Sequence, residues 1–374
     1  MDRVDIAICG AGPVGLALAL LLTQQGVAAE RIALVDAKSA EQAVADPRSI
    51  ALSYGSRQIL EQLGAWAIPT DAILQIHVSR RGHFGRTLID RDELDVPALG
   101  YVARYGDVTA ALAQSAAQAG IKVLRPLRVE ALEESADGVT LRLSDGSALS
   151  GRIAIQAEGG LFHEQRGRQV RRDYEQTAII AQVWSTAPIV HRAFERFTEE
   201  GPLALLPQDA GYALVWCVRP AHADALLALP DADFLDALGA AFGSRVGKFI
   251  RTTPRFGFPL GLNAQAGATA RSIAIGNAAQ TLHPVAGQGL NLGLRDAVVL
   301  AQCLREEIAP TALLQFLARR KADRGATIHL TDTLARIFAG GAPVQSMLGA
   351  GLGLVDVFKP AKAVLAEQMM FGTR

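Results

Sequence analysis

Val4-Asp-Ile-Ala-Ile-Cys-Gly10-Ala-Gly12-Pro-Val-Gly15, running on into Leu16-Ala-Leu-Ala-Leu-Leu-Leu-Thr-Gln-Gln25, is the stretch on which the fold turns. A short β-rich run enters a glycine turn and leaves it as a helix, the context in which Gly-x-Gly-x-x-Gly marks a dinucleotide site. Gly10 permits the tight turn, Gly12 lets a pyrophosphate approach the backbone, and Gly15 allows the helix to pack closely. Pro13 lies in the same loop and joins this candidate cofactor-binding set. Arg31-Ile-Ala-Leu-Val-Asp36 reads as the second strand. It ends in a carboxylate about 20 residues on, placed to accept hydrogen bonds from ribose hydroxyls and to disfavour a 2′-phosphate. FAD or NAD, rather than NADP, is the ligand these residues imply.

A second nucleotide-type stretch lies far downstream, Arg271-Ser-Ile-Ala-Ile-Gly276-Asn277-Ala-Ala-Gln-Thr-Leu-His283-Pro284-Val-Ala-Gly287-Gln-Gly289-Leu290-Asn291-Leu-Gly-Leu-Arg-Asp296. It joins an apolar strand, a glycine-proline loop and a helix expected to open near Leu290. Glycines let the backbone come close to a ligand, and the helix start points unpaired N–H groups and a positive dipole end at it. Such an end suits the negative charge that a reduced flavin carries at its N1–C2=O edge. An ordinary strand-loop-helix connection is the alternative reading of this stretch alone. Paired with the amino-terminal fingerprint, it favours FAD over NAD.

The two motifs together resemble the flavin-dependent aromatic hydroxylases of the para-hydroxybenzoate hydroxylase type. Asp46-Pro-Arg48-Ser-Ile-Ala-Leu-Ser-Tyr-Gly-Ser56, Leu63-Gly-Ala-Trp66 and Ile76-His-Val-Ser-Arg-Arg-Gly-His-Phe-Gly85 are similar to the ubiquinone-biosynthesis branch, nearest its 2-polyprenyl-6-methoxyphenol hydroxylases. The resemblance runs from Met1 to about Leu334. It implies an α/β fold in which a Rossmann-like FAD-binding domain (1–72, 98–172 and 268–306) is interleaved with an antiparallel-sheet substrate domain (73–97 and 173–267). A helical carboxy-terminal region (307–374) with an apolar tail completes it. It further implies ring hydroxylation of a polyprenylated phenol by O₂ through a flavin C4a-hydroperoxide, with NAD(P)H as a transient electron donor.

Site residues follow from the same resemblance. Arg48, expected just before a helical run, matches an arginine between the pyrophosphate and the flavin. Arg104, or the adjacent Tyr105, falls near a second cofactor contact, and Val129 where a strand backbone meets adenine. Gly276 and Asn277 stand at the ribityl chain, and Gly287, Gly289, Leu290 and Asn291 offer backbone groups to the pyrimidine edge. Pro284 shapes the loop over the ring, and His283 is the titratable group available to relay a proton or orient the phenol. The chain departs from the family where Gly-Asp-Ala-Ala-His becomes Gly276-Asn-Ala-Ala-Gln280, a neutral acceptor in place of a carboxylate. It departs again at Ala157-Glu158-Gly-Gly-Leu-Phe162-His-Glu-Gln165-Arg166, in a region tied to handling the nicotinamide.

Composition narrows the partners. Lys+Arg and Asp+Glu both number 37, which leaves no basic field for nucleic acid. Cys9, Cys217 and Cys303 are scattered without metal or dithiol spacing, so no metal is expected and a reducing cytoplasm suits them. The amino terminus carries no basic region before its apolar run, so the chain is not expected to be secreted. Hydrophobic residues make up 50% of the chain. Ile337–Val355 is uncharged but broken by glycines and Pro343, so it is expected to lie against a membrane surface or a quinone-biosynthesis assembly rather than to span a bilayer. The location implied is cytoplasmic, at the periphery of the inner membrane. Ala178–Trp184, Leu203–Pro207 and Tyr212–Val218 read as antiparallel strands, Gly151–Gln156 as part of the nucleotide half, and Leu290–Arg305 and Leu313–Leu334 as helices. Two other functions fit the same motifs: a flavin reductase acting on a prenyl lipid without oxygen insertion, and a non-catalytic flavoprotein subunit.

Overall fold

The computed structural model of the chain describes residues 2–81, 86–158, 172–264, 268–281 and 288–321, with Asp323, Gly325, Glu367, Met370 and Phe371 beyond them. The opening stretch folds as its spacing predicts, into strand Ile6–Cys9, helix Pro13–Gln24 and strand Ile32–Val35. Every residue of both strands is buried, the near-continuous apolar reading of a parallel sheet covered on both faces.

Five parallel strands lie in the order Ser272–Ala274, Ile153–Gln156, Ile6–Cys9, Ile32–Val35, Lys122–Leu124. Ile6–Cys9 is central because the chain winds outward on one side and returns later on the other. That reversal makes a topological switch point at the strands' carboxyl ends, where ligands of doubly wound sheets bind. It also brings the late motif, about 270 residues downstream, to within one strand of the fingerprint. Leu16, Leu18 and Leu22 of the first helix join Leu294, Leu300 and Leu304 of helix Gln288–Glu306 in one core with the sheet. A four-stranded sheet (Asp2–Arg3, Ala148–Gly151, Val139–Leu143, Val129–Glu134) and a three-stranded one (Ser49–Ser53, Gly100–Arg104, Asp71–Ile73) flank this half. The residues after Arg48 form a strand, not the expected helix; helix Tyr54–Gln62 begins only after Ser53. The β-branched Ile50 favours a strand, and the run pairs antiparallel with Gly100–Arg104.

The second layer is a mostly antiparallel nine-stranded sheet. Its main path runs Gln280–Thr281, Phe256–Ala264, Arg172–Ser185, Gly211–Val218, Pro202–Gln208, Arg192–Phe197, Gln75–Arg80, Arg86–Asp90. Helices Pro220–Ala228 and Asp231–Phe242 cover one face through Phe194, Trp216, Phe234 and Phe242. The other face turns to the nucleotide half: Ala193 and Ala213 pack with Ile73, Leu99 and Val102. Polar clips join the halves as well, Ser49 Oγ donating to Gln208 Oε1 at 2.6 Å and Arg104 Nη2 pairing with Asp209 Oδ2 at 2.6 Å.

Helix Gln288–Glu306 starts two residues before the expected Leu290, and a further helix occupies 310–321. Asp323 and Gly325 apart, the rest of the Leu313–Leu334 expectation and the Ile337–Val355 tail lie outside the described residues. Among the described residues no helix is long and apolar enough to cross a membrane.

Candidate active site

The fingerprint turn is built around close backbone approaches. Gly10 has φ +105°, and a Cβ there would stand 2.7 Å from Ala157 O; its N–H donates to Val35 O at 2.7 Å. Gly12 caps helix Pro13–Gln24 with no side-chain cap, Pro13 takes the first turn, and no acidic residue is present in that turn. The first helical bond runs from Leu16 N–H to Gly12 O, so the N–H groups ahead of it have no helical carbonyl to reach. This end is left open to an anion.

Asp36 stands beside that turn. Its Oδ2 accepts from Ala11 N–H at 2.7 Å and its Oδ1 from Lys38 N–H at 2.8 Å, which fixes the carboxylate while leaving lone pairs for ribose hydroxyls. Arg125 was not legible as a site residue. Its Nη2 donates to Ala11 O at 2.7 Å and lies 3.9 Å from Asp36 Oδ2, tying the strand end at Leu124 to the fingerprint loop. Val129 opens the adjacent strand at a bulge, half-buried beside Leu124 and Leu127.

Sequence reasoning left Arg104 and Tyr105 as alternatives, and the structure separates their surroundings. Arg104 is half-exposed and reaches Asp209 in the sheet layer. Tyr105 turns the other way, its hydroxyl 3.1 Å from where a Cβ on Gly12 would sit. Arg48 lies over the Tyr105 ring, 4.7 Å from its centroid, and grips Asp46 through both Nε and Nη2. Gly12, Tyr105 and Arg48 are therefore one cluster at the fingerprint turn. Burial, with a smaller opposing effect of Arg48, pushes the Tyr105 phenol up to about 12, so it stays a hydroxyl donor at neutral pH.

The late motif converges on the same place. Gly276 has φ +58° and packs on Val14 of the first helix, and its N–H donates to Asp296 Oδ2 at 3.0 Å. Asn277, half-buried in the single turn Gly276–Ala278, has its Oδ1 3.6 Å from where a Cβ on Gly289 would sit. Leu290 packs half-buried on the core. Asn291 does more than offer its backbone: its Oδ1 accepts from Ser53 N–H and Ser56 Oγ, and its Nδ2 donates to Ala51 O. These bonds seat the helix start on strand Ser49–Ser53. His283, Pro284 and Gly287 lie outside the described residues, as do Phe162 and Gln165. Cys9 ends the central strand, but burial, reinforced by the charge of Glu158, pushes its thiol up to about 12. A thiol so protonated is no nucleophile.

Residues 3–184 and 264–330 match the family described as an FAD binding domain, about two-thirds of the chain. The ubiquinone hydroxylase UbiL of Rhodospirillum rubrum is 32% identical over 99% of this chain and 90% of its own length. The chain belongs to the FAD-dependent ubiquinone hydroxylase family. Within it, the 3-demethoxyubiquinol 3-hydroxylase of Escherichia coli is 31% identical over 80% of this chain and 79% of its own length. The fold is shared more widely. The p-nitrophenol 4-monooxygenase PnpA of Pseudomonas putida superposes with a TM-score of 0.77 at 16% identity, covering 99% of this chain and 98% of PnpA. The cofactor of this family is FAD, and the turn just described fits it. Gly10 lets the turn close against Ala157, Gly12 leaves a space that a Cβ would narrow, the helix end there is uncapped, and Asp36 offers acceptors for ribose hydroxyls.

Asn277→Asp tests whether the family's missing carboxylate matters. A charged acceptor is expected to tighten FAD by about 1 kcal/mol, several-fold in Kd by fluorescence titration. An unchanged Kd would show that residue 277 does not meet the ribityl chain.

Proposed function

We propose that this protein hydroxylates the aromatic ring of a polyprenylated phenol on the way to ubiquinone, with 2-polyprenyl-6-methoxyphenol as its substrate. When bound, FAD would supply the redox chemistry, by which two electrons from a reduced nicotinamide and O₂ give one oxygen atom to the ring and one to water. The chain's part is to bind, orient and exclude water. Asp36, the Gly10–Gly15 turn and Tyr105 with Arg48 hold the adenosine and pyrophosphate; Gly276, Asn277 and the backbone from Gly289 to Asn291 hold the ribityl chain and the pyrimidine edge. His283 and Pro284 remain the proposed residues over the ring.

One observation carries the choice of an apolar substrate. Across the sheet face that looks toward the nucleotide half, Ala204, Val215 and Ile180 stand side by side, half-open and aliphatic. A small polar phenol gains nothing from such a floor, whereas each buried CH₂ of a prenyl chain contributes about 0.8 kcal/mol. The names of the UbiL and E. coli relatives support the same class. Free substrate of this kind stays in lipid, so a membrane surface or a quinone-biosynthesis assembly is its proposed place of work, with the Ile337–Val355 tail as the proposed contact. Deleting the gene and profiling quinone precursors tests the reading. A precursor lacking one ring hydroxyl is expected, together with ¹⁸O from ¹⁸O₂ in the product of the purified enzyme. Prenyl-chain reduction without ¹⁸O incorporation would sink it.

A further inference from the structure

Val78, Glu195, Ala204, Val215, Ile180 and Phe256 form one straight row across six adjacent strands. Each is the direct register partner of the next. Direct partners point to the same side of a sheet. The row lies opposite the aromatic core, because Phe194, Leu205 and Leu214, one residue along on their strands, face the two covering helices. It therefore looks toward the nucleotide half, on the same face as Ala193 and Ala213.

The row is more open than its nearest neighbours on strands Arg192–Phe197 and Gly211–Val218. Along strand Gly211–Val218 every residue is buried except Val215. The flanking Ala193 and Phe197, either side of Glu195 on the same face, are 4% and 3% exposed, whereas Glu195 is half-buried and Phe256 is 46% exposed. Five steps between strands span roughly 24 Å, long enough for several isoprene units.

Glu195 is the one polar side chain of that row. Its Oε1 is buried without a hydrogen-bond partner. A buried acceptor left unmade costs about 1–3 kcal/mol, so a native carboxyl in that state has a reason to be there. Burial alone pushes it up to about 7. Among the described residues no cation offsets that burial, and Glu195 in turn adds to the raising of the Cys217 thiol, which comes mainly from that thiol's own burial. The row is aliphatic and aromatic but for this one acceptor.

We propose that Glu195 anchors the substrate, its Oε1 accepting a hydrogen bond from the ring hydroxyl of the phenol while the prenyl chain lies along Ala204, Val215, Ile180 and Phe256. This deepens the proposed function and rests on it. No covalent or redox step is involved: the bond fixes which ring position meets the cofactor.

The test titrates the FAD-loaded enzyme with 2-farnesylphenol and with its O-methyl ether, following the flavin absorbance. The wild type is expected to bind the phenol roughly tenfold more tightly than the ether, which has no hydrogen to give. Glu195→Leu is expected to bind both with the weaker affinity and to melt no lower than the wild type, while Glu195→Gln, which keeps an acceptor, retains most of the preference. A Glu195→Leu enzyme that still prefers the phenol tenfold overturns the anchoring role and leaves the substrate class standing. Equal binding of phenol and ether by the wild type overturns the anchor too. Failure of the wild type to bind either compound overturns the substrate class, and the anchor falls with it.

Discussion

Gly15→Ala is expected to yield a protein without bound flavin, and one that unfolds at markedly lower denaturant. Gly15 sits in the first turn of helix Pro13–Gln24, and a Cβ there would stand 2.0 Å from Gly10 O, 3.2 Å from Gly10 C and 3.4 Å from Ile8 Cγ2. The first two are backbone atoms, so no rotamer change relieves the clash. Either the helix start lifts away from the turn or the turn opens. Overpacking by a methylene in a yielding core costs about 1–3 kcal/mol, and this contact has nothing that yields. Both escapes move the N–H groups proposed to meet the pyrophosphate, so at least a tenfold loss of FAD affinity should accompany the loss of stability. The ratio of flavin to protein absorbance and a urea melt measure the two effects separately. Gly12→Ala should be milder for the fold, since its Cβ meets only the Tyr105 hydroxyl at 3.1 Å, a side-chain end that can shift. Gly239, within helix Asp231–Phe242 with nothing within 4 Å of its Cβ position, supplies the control. Gly239→Ala should be neutral or stabilising by up to about 1 kcal/mol. Full flavin content in Gly15→Ala would refute the assignment of this turn to the cofactor.

The difference between these glycines shows what the sequence could say. Spacing made the strand, turn and helix of the fingerprint and the strand and helix of the late motif legible, because each is a local pattern of apolar runs around glycines. Their meeting was legible only through the resemblance, since strand order, not distance along the chain, brings Ser272–Ala274 beside Ile153–Gln156. Arg104 and Tyr105 could not be told apart from sequence. They are consecutive residues at a strand-to-helix junction and leave it in opposite directions, one to Asp209 and one to Gly12. Arg125 carried no signal, because a lone arginine after Lys122-Val-Leu124 reads as solvated surface. Glu195 was hidden for a related reason. In an alternating strand a carboxylate reads as the wet face, and only the second layer shows that this face looks inward. The run after Arg48 misled because Ser49-Ile-Ala-Leu-Ser53 is too short for its periodicity to separate strand from helix.

Asp296 did carry a signal of its own, and it leads to the second large effect. Leu292, Asp296 and Leu300 stand four residues apart on one stripe of helix Gln288–Glu306, all 0% exposed. A charge on an apolar stripe needs a buried partner. Phe316 and Arg320 repeat the pattern on the next helix, and the two exceptions meet: Arg320 Nε donates to Asp296 Oδ1 at 2.8 Å, and Arg320 Nη1 also pairs with Asp323. The other oxygen of Asp296 holds Gly276 N–H at the turn leading into Asn277. One carboxylate thus ties the 310–321 helix to the Gly276–Ala278 turn. Asp296→Ala is expected to cost about 3–5 kcal/mol, because it strips a partner from a guanidinium that is 4% exposed. Flavin should be lost in parallel as the Gly276 turn loosens. Asp296→Asn separates the two roles. Its carbonyl can still accept from Gly276 N–H, but its amide cannot neutralise Arg320. It should therefore keep more FAD per folded molecule than Asp296→Ala while remaining strongly destabilised. Urea melts with and without added FAD give both quantities. If Asp296→Ala were to melt like the wild type, the buried pair would hold nothing together; if both variants lost FAD equally per folded molecule, the Gly276 bond would have no part in shaping the site.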